Sequence, residues 1–428
     1  MAFSSTPFGF PFSKNASTSI RGSISEATRR PSIATPSRSS AEFGHSELGS
    51  PNQQLPLYSD TFRVIVIGSL NFDHIWVVPR LPQPSETLMI AKHKTAPGGK
   101  GAIQAIACAR LSHARSASPG GAGRFPRRSE SYHAPSARRP SSQDLKNVSI
   151  KVSMIGAVGE DQAGHRIVQA LYADRVDTEH ILQCRDEETG RASIALGKNG
   201  ENNVLVCPGA NYRLTPNQIR ADLREGSPHL LILQMEIPVQ TVEHLIRKAA
   251  EEKIPVLLNA APVMDSFPRD ILGSVEHLIV NKLEAEDLLN QRSTASNVSG
   301  QRFEQEGDRE VEIARGRELC KSLLGFGMKY AVVTIGGHGG VAGSRSEDGK
   351  THISDYKAAD VEKVVDTTGC GGVFIGAYAV QYIRQKFSVG GGFDIARAVA
   401  WAAKAAAMKA KSFGSLEGIP WEDELDAA

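Results

Sequence analysis

The stretch that most constrains the fold is VVDTTGCGGVFIGA at residues 364–377. It begins with β-branched residues, passes through a glycine-rich turn, and continues with apolar residues at helical spacing. We therefore predict a helix from about Gly371 to Arg384, whose N-terminus lies at the turn. Free N–H groups at a helix N-terminus attract anions, and glycine lets the backbone approach a phosphate closely. An ordinary strand-to-helix connection would use the same residues, so this stretch alone leaves both interpretations open.

The composition of the chain excludes several other classes of protein. The 428 residues are 40% hydrophobic and 22% charged, which is typical of a globular protein with one large α/β domain or two smaller ones. The net charge of +2 predicts no nucleic-acid partner. No apolar run approaches the ~18 residues of a membrane helix, so no membrane partner is predicted. The five cysteines show no CxxC or Cys/His spacing, which favours a reducing compartment and predicts no zinc site.

Three segments look unable to form part of a core. Residues 1–60 are rich in Ser, Pro, Thr and Arg and predict a disordered tail. Acidic residues are absent before Glu26, a pattern shared with mitochondrial transit peptides, although apolar periodicity is weak. Residues 113–147 predict a disordered insertion and residues 290–312 a second polar insertion. We expect a cytoplasmic protein, leave the nucleus open, and rank mitochondrial import lower.

Polar residues follow several predicted strands at the point where each strand ends. Asn71 and Asp73 follow the apolar run 64–67, and Glu236 follows the run 229–234. Ligands bind at the carboxyl ends of strands in open α/β sheets, although polar residues are also ordinary turn formers there. Asn281 and Glu284 follow another strand at a spacing that would equally suit helix capping.

A second glycine-rich stretch, PGGKGAIQA at residues 97–105, precedes a helix that ends near Leu111. Other glycine-rich stretches imitate nucleotide motifs, with GHGGVA at 337–342 and GKT at 349–351. Both lie in a predicted strand–turn–strand segment rather than before a helix, so we reject the dinucleotide and P-loop interpretations.

Taken together, these motifs resemble the ribokinase-like carbohydrate kinases, the PfkB family. The opening stretch resembles the family signature Asp-Thr-x-Gly/Ala-Ala-Gly-Asp-x-Phe-x-Gly-Ala, and GGKGAIQA resembles the family's Gly-Gly-Lys-Gly-Ala-Asn-Gln-Ala. The resemblance covers roughly residues 62–425 and implies one kinase domain at 61–425. Its fold would be a three-layer α/β/α sandwich with a mostly parallel sheet and a small β lid, which we assign to strands near 75–78, 87–94, 192–196 and 203–207.

The resemblance also implies an activity, its cofactors and its partners. The reaction would be in-line transfer of the ATP γ-phosphate to the primary 5-hydroxyl of a sugar, with D-ribose the sugar that the motifs favour. Mg²⁺ would accompany ATP, and K⁺ would activate. Another pentose or a nucleoside stays open, and lids of this family often pair into homodimers.

The family's functional positions carry over residue by residue. The anion-hole loop would be Gly369, Cys370, Gly371 and Gly372, with Gly372 at the position of the catalytic base. The sugar would be bound by Asn71, Asp73, Gly99, Lys100 and Glu236. The nucleotide would be bound by Asn281, Thr334, Gly336 and Gly339. Glu284 would hold magnesium through water, and Asp366 and Thr368 would hold the monovalent cation.

Several departures from the family pattern fall in this one region. Gly372 stands where the family has its catalytic Asp, and glycine cannot accept a proton. Ile103 stands where the family has a sugar-binding Asn, and Lys282 departs from the family's usual residue beside the magnesium position. The family's Arg and Ser near the C-terminus fall on Ser412 and Gly418, which argues against potassium activation. Because base catalysis contributes about 10²–10⁴-fold, we expect strongly reduced activity. The alternative is an inactive protein that binds sugar or nucleotide, or acts as a partner surface.

Overall fold

A computed structural model of the protein describes residues 61–83, 85–90, 92–115, 148–197, 202–219, 228–264, 266–290, 308–388 and 390–427. The predicted tail at 1–60 lies outside these residues, as do most of the predicted insertions at 113–147 and 290–312. All described residues belong to one compact unit, Tyr58–Ala428.

The described residues contain thirteen strands in two sheets. In chain order they are β1 Thr61–Ile67, β2 Asn71–Val78, β3 Lys92–Gly98, β4 Ser149–Gly159, β5 Ile181–Cys184, β6 Gly190–Gly197, β7 Asn202–Cys207, β8 Leu230–Gln234, β9 Val256–Asn259, β10 His277–Asn281, β11 Tyr330–Thr334, β12 Gly340–Arg345 and β13 Thr351–Tyr356.

The larger sheet has nine strands in the order β13-β12-β11-β10-β9-β8-β1-β4-β5. From β11 to β5 every neighbouring pair is parallel, whereas β12 and β13 add an antiparallel hairpin at one edge. This hairpin is the strand–turn–strand segment that excluded a dinucleotide motif. The central strands read as continuous apolar runs because both of their faces are covered.

Helices cover both faces of the large sheet. In chain order they are α1 Lys100–Leu111, α2 Gln162–Ala173, α3 Val239–Glu251, α4 Lys282–Leu288, α5 Arg309–Leu324, α6 Cys370–Phe387, α7 Ile395–Lys409 and α8 Glu422–Ala427. Val64 and Val66 of β1 pack in one apolar core with α1, α2, α6, α7 and α8, whereas Ile65 and Ile67 pack in a second core with α3, α4 and α5. This alternation confirms the predicted α/β/α sandwich.

The smaller sheet forms the predicted lid, with strand order β3-β2-β6-β7. The β6–β7 hairpin is confirmed close to its predicted bounds. The strand predicted at 87–94 instead runs over Lys92–Gly98, where it pairs with β2 in antiparallel register. The strand begins with three polar residues, Lys92, His93 and Lys94, rather than with an apolar run. Its location is therefore determined by backbone pairing with β2 and not by side-chain hydrophobicity.

Two helix boundaries also differ from prediction. The helix predicted from about Gly371 to Arg384 spans Cys370–Phe387. Helix α5 begins at Arg309, so the last residues of the predicted insertion at 290–312 are helical. The carboxylate of Asp308 accepts from Glu310 N at 3.0 Å and caps this earlier start. Among the described residues, no helix is long and apolar enough to cross a membrane.

Candidate active site

A cavity of about 280 Å³ lies between the lid and the carboxyl ends of the central strands. Lid strands β6 and β7 contribute an apolar wall of Ala192, Ile194, Val204 and Val206. All five predicted sugar-site residues, which are Asn71, Asp73, Gly99, Lys100 and Glu236, line the same cavity and make this part of its wall polar. The structure thus brings together residues that are up to 165 positions apart in the chain.

Glu236 is at the centre of a hydrogen-bond network in this cavity. Its Oε2 accepts from Ser69 Oγ at 2.6 Å and from Asn71 Nδ2 at 3.3 Å, and its Oε1 lies 3.8 Å from Lys100 Nζ. Asn71 Oδ1 in turn accepts from Asn211 Nδ2 at 2.8 Å. These contacts fix the side chains of Asn71 and Glu236 at the strand ends before any ligand binds.

Asp73 is buried at the start of the lid, where it joins the cavity to the C-terminal part of the chain. It is 4% exposed, and its Oδ2 accepts from the hydroxyl of Ser415. Burial raises the pKa of Asp73 to about 7, an effect that the Ser415 hydroxyl opposes and the Glu236 carboxylate reinforces. This carboxyl group therefore holds its proton to a higher pH than an ordinary aspartate does.

The start of α1 presents Lys100 and Ile103 to the same cavity. Gly99, with φ of 93°, precedes the helix, and a Cβ atom there would lie 2.6 Å from Asn71 N. Only glycine permits both this backbone conformation and this close approach. Ile103 is 7% exposed and brings an apolar group into a cavity whose other α1 contributors are polar, Lys100 and Gln104.

The opening stretch forms the loop that we call the anion loop, residues 366–372. Gly369 has φ of 84° and precedes α6 without a side-chain cap. Cys370 N donates to Thr367 O at 3.1 Å and Val373 N to Gly369 O at 2.9 Å, whereas the first turn of a helix offers no acceptor to the N–H groups of Gly371 and Gly372. Both glycines line the cavity, so the loop can accept an anion there.

A second cavity, of about 430 Å³, lies on the other side of the anion loop. It contains three predicted nucleotide-site residues, Thr334, Gly336 and Gly339. Small side chains of α7 and its end form one apolar wall, which comprises Ala403, Ala406, Ala407 and Ala410. Cys370, predicted in the anion hole, lines this second cavity only, and burial raises the pKa of its thiol to about 11.

The two cavities meet at three residues that line both of them, Thr334, Thr367 and Gly371. Thr367 and Gly371 belong to the anion loop, so this loop is the shared wall. A group bound at the free N–H groups of α6 would therefore be accessible from both sides.

Asn281 and Glu284 form a capping box at the start of α4, which is the alternative that the sequence left open. Asn281 Oδ1 accepts from Glu284 N, and Glu284 Oε2 accepts from Asn281 N, each at 2.8 Å. Both residues line the first cavity, so Asn281 does not lie in the second cavity with the other predicted nucleotide residues. Burial raises the pKa of Glu284, an effect opposed by the charge of Lys100.

Lys282, which departs from the family pattern, and Asp366, a predicted cation ligand, both have partners within the protein. Lys282 Nζ donates to Glu312 Oε2 at 2.9 Å, and Lys282 lines neither cavity. Asp366 is buried, and its carboxylate accepts from Thr368 N at 2.8 Å and from Gly414 N at 2.9 Å. No cluster of three or more His, Cys, Asp or Glu residues that could hold a metal ion occurs in the described part of the chain.

Sequence reasoning missed three residues that support the site. Ser69 and Ser415 donate to the carboxylates of Glu236 and Asp73, and Gln104 accepts from Gln234 Nε2 at 2.7 Å. Ser69 lies just after the end of β1 and two residues before Asn71, so its position in the sequence could have identified it as a site residue. Ser415 lies 342 residues from Asp73 and has no local signal at all.

Comparisons with known proteins agree with this geometry. A model of the pfkB family carbohydrate kinases matches residues 141–422, more than half of the chain. Ribokinase of Schizosaccharomyces pombe is 29% identical over 372 residues, which are 85% of this chain and 97% of that protein.

Solved structures show the same fold. Ribokinase from Giardia lamblia gives a TM-score of 0.65 at 22% identity, with 86% of this chain and 98% of that chain covered. Arabidopsis thaliana ribokinase, solved with ribose and ATP, gives a TM-score of 0.63 at 22% identity, with the same coverage. With the sequence match to the family model, these likenesses place the chain: it belongs to the pfkB family of carbohydrate kinases, and its fold is ribokinase-like.

Proposed function

We propose that this sugar kinase binds D-ribose in the first cavity and ATP in the second, and transfers the γ-phosphate to the 5-hydroxyl of ribose at a strongly reduced rate. The observation that carries the proposal is the position of the anion loop as the shared wall of the two cavities. Phosphoryl transfer needs donor and acceptor in line across a site that stabilises negative charge. The free N–H groups at the start of α6 are suited to that charge.

The first cavity has the donors and acceptors that a small polyol requires. Asp73 and Glu236 supply acceptors, Asn71 supplies both kinds of group, and Lys100 supplies donors. Apolar lid residues above this polar floor would exclude water once a sugar is bound. Ribose itself is favoured over other sugars by the similarity to ribokinases.

The residues of the first cavity fit a magnesium ion that is shared with the nucleotide. Glu284 lines the cavity and uses only Oε2 in its capping box, so its second carboxylate oxygen is available to an ion. Magnesium in phosphoryl-transfer sites is bound by one or two carboxylates, waters and substrate phosphates rather than by a cage of protein ligands. When bound, the ion would neutralise charge on the phosphates.

Reduced activity is proposed because the position of the family's base holds no carboxylate. The carboxylates that do line the first cavity already accept hydrogen bonds from the protein, Asp73 from Ser415, Glu236 from Ser69 and Asn71, and Glu284 within its capping box. Gly372 lines the cavity without a side chain. Loss of general base catalysis is expected to lower turnover about 10²–10⁴-fold, while binding of nucleotide at the second cavity is unaffected.

Calorimetric titration with Mg-ATP tests the nucleotide half of the proposal. We expect the native chain to bind, and Ala407→Leu to weaken binding at least about tenfold because the added side chain fills the second cavity. Ala400→Leu is the matched control, since Ala400 is an exposed residue of the same helix and lines neither cavity. Equal affinity in the native chain and Ala407→Leu would contradict the assignment of the second cavity.

Titration with D-ribose and 2-deoxy-D-ribose tests the sugar half. A site that hydrogen-bonds hydroxyl groups discriminates strongly against an analogue that lacks one, because its buried polar groups lose a partner. We expect ribose to bind more tightly, and Asp73→Asn to remove most of that affinity. Tighter binding of a nucleoside than of ribose would assign the site to a different substrate.

The second candidate function is a protein that binds sugar or nucleotide without catalysis. The absence of a side chain at Gly372 favours this non-catalytic function. One experimental result distinguishes it from the proposed kinase activity. Binding of both ligands with no ADP release above background, even over long incubation, would select the non-catalytic function.

We also infer a homodimer formed through the lid. Strand β7 is an edge of the small sheet. It exposes Leu205 by 74%, whereas Val204 and Val206 line the first cavity. An exposed apolar edge strand is a pairing surface unless it is covered. Size-exclusion chromatography with light scattering should give a dimer, and Leu205→Lys should shift it toward monomer. A monomeric native chain at high concentration would contradict the inference.

A further inference from the structure

One buried charge has no part in the function proposed above. Lys409, the last residue of α7, is 0% exposed. Lysine is almost never fully buried unless its ammonium group is paired or hydrogen-bonded. Its Nζ donates to Ser412 O at 3.3 Å. Burial lowers the pKa of Lys409, whereas neighbouring Cys370, Asp366 and Glu417 oppose that shift.

Lys409 lies where the anion loop meets a second loop, residues 412–418, which we call the tail loop. Asp366 of the anion loop accepts from Gly414 N of the tail loop at 2.9 Å. A Cβ atom on Gly369 would lie 2.7 Å from Ser415 O and 3.5 Å from Lys409 Cε. The end of the lysine side chain therefore lies next to Gly369 of the anion loop, while its ammonium group binds the tail loop.

This junction is also where the family resemblance placed a monovalent cation, with Asp366 and Thr368 among its ligands. The residues present do not fit such an ion. Ser412 O is already bound to the ammonium group, and the Asp366 carboxylate already accepts two backbone N–H groups. Gly418 offers no side-chain ligand, and the space above it is filled, since its Cβ would clash with Ser412 Oγ. A second cation beside the ammonium would also be repelled.

We propose that Lys409 is a tethered cation that takes the place of a monovalent ion between the anion loop and the tail loop. A tethered group is present at saturating effective concentration, whereas a free ion binds by mass action. The junction is then stable whatever salt is present. The positive charge also lies beside the anion loop. That it favours a phosphate bound there rests on the proposed function.

Melting temperatures in KCl, NaCl and choline chloride at equal ionic strength test the proposal without ligand or catalysis. We expect the native chain to melt at the same temperature in all three salts. Lys409→Met keeps the volume of the side chain and removes its charge, so it should lower the melting temperature by several degrees in every salt. Lys411→Met, at an exposed lysine two residues away, should leave it unchanged.

Lys409→Ala supplies the rescue arm, because truncation opens room for an ion next to Asp366. Potassium should raise the melting temperature of this variant by at least about 2 °C relative to choline. It should not do so for Lys409→Met, in which the space stays filled. Mg-ATP affinity of the native chain should likewise not depend on potassium.

Two results would overturn the proposal. The first is a native chain that melts higher, or binds Mg-ATP more tightly, in potassium than in choline, since the ion site would then be open. The second is a Lys409→Met variant as stable as the native chain. A native chain that binds no nucleotide but melts identically in all salts would refute the proposed function and leave the role of Lys409 standing.

Discussion

The structure around Gly372 predicts that Gly372→Asp destabilises the protein unless Ile103 is replaced as well. A Cβ atom at position 372 would lie 2.5 Å from Ile103 Cγ2 and 3.1 Å from Ile103 Cβ. Carbon atoms in contact are separated by 3.5–4.0 Å, so the overlap is about 1 Å. Ile103 is 7% exposed on α1, which packs against α6 in one core, so neither helix can move freely.

Gly372→Asp is therefore expected to destabilise the protein by about 1–3 kcal/mol, the usual cost of overpacking. Ile103→Asn, measured alone, is also destabilising because it removes buried apolar contacts. In the double variant the overlap is gone and the two polar groups share the space. The double-mutant cycle should give a favourable coupling energy of about 1–2 kcal/mol.

Chemical denaturation of the four proteins measures this coupling, and Gly371→Asp is the matched control. It introduces the same residue in the same helical turn, where a Cβ atom has no atom within 4 Å. An acidic group near a helix N-terminus is favourable, so this variant should be as stable as the native chain or slightly more so. If Gly372→Asp is as stable as Gly371→Asp and shows no coupling to Ile103→Asn, the steric argument is wrong.

Three further predictions concern the same site. Burial raises the folded-state pKa of Asp73 to about 7, so the unfolded chain loses this proton at a lower pH than the folded chain does. The stability of the native chain relative to Asp73→Asn should therefore fall as the pH rises from about 4 to about 7, and it should stay constant above that range. Denaturation measured as a function of pH tests this, and a stability difference that does not change with pH would contradict the raised pKa. Ser415→Ala removes a donor to that carboxylate and should move the upper limit of this range to higher pH, whereas an unchanged profile would mean that Ser415 has no influence. Gly369→Ala should destabilise the protein by about 1 kcal/mol or more, because φ at this residue is 84° and Ser415 O is close. Gly371→Ala should not destabilise it. Equal melting temperatures for the two variants would refute the assigned loop conformation.

The sequence predicted the fold well because the responsible signals are local. Apolar runs such as residues 64–67 and 230–234 mark buried parallel strands whatever the rest of the chain does. The opening stretch predicted the start of α6 but not what precedes it, because Val364 and Val365 form no strand and lie exposed between β13 and α6. Bounds were less accurate where a polar strand is held by pairing, as in β3, or where a cap such as Asp308 begins a helix early.

The site was predicted only in part, because much of it depends on packing between distant residues. Gly372 and Ile103 were each identified as departures from the family pattern, but the sequence does not show that the isoleucine takes the room of the missing aspartate. Lys409 has no sequence signal, since a lysine at a helix C-terminus is usually solvated. Only the folded chain brings it to the junction of the anion loop and the tail loop.

The most direct test of a kinase site that lacks its base is ADP release with D-ribose and Mg-ATP, measured for the native chain and for the Ile103→Asn/Gly372→Asp double variant. We predict a native rate close to background and a rate at least about 10²-fold higher in the double variant, once both are shown to be folded. Rapid turnover by the native chain, equal to or above that of the double variant, would contradict the account and mean that another residue accepts the proton.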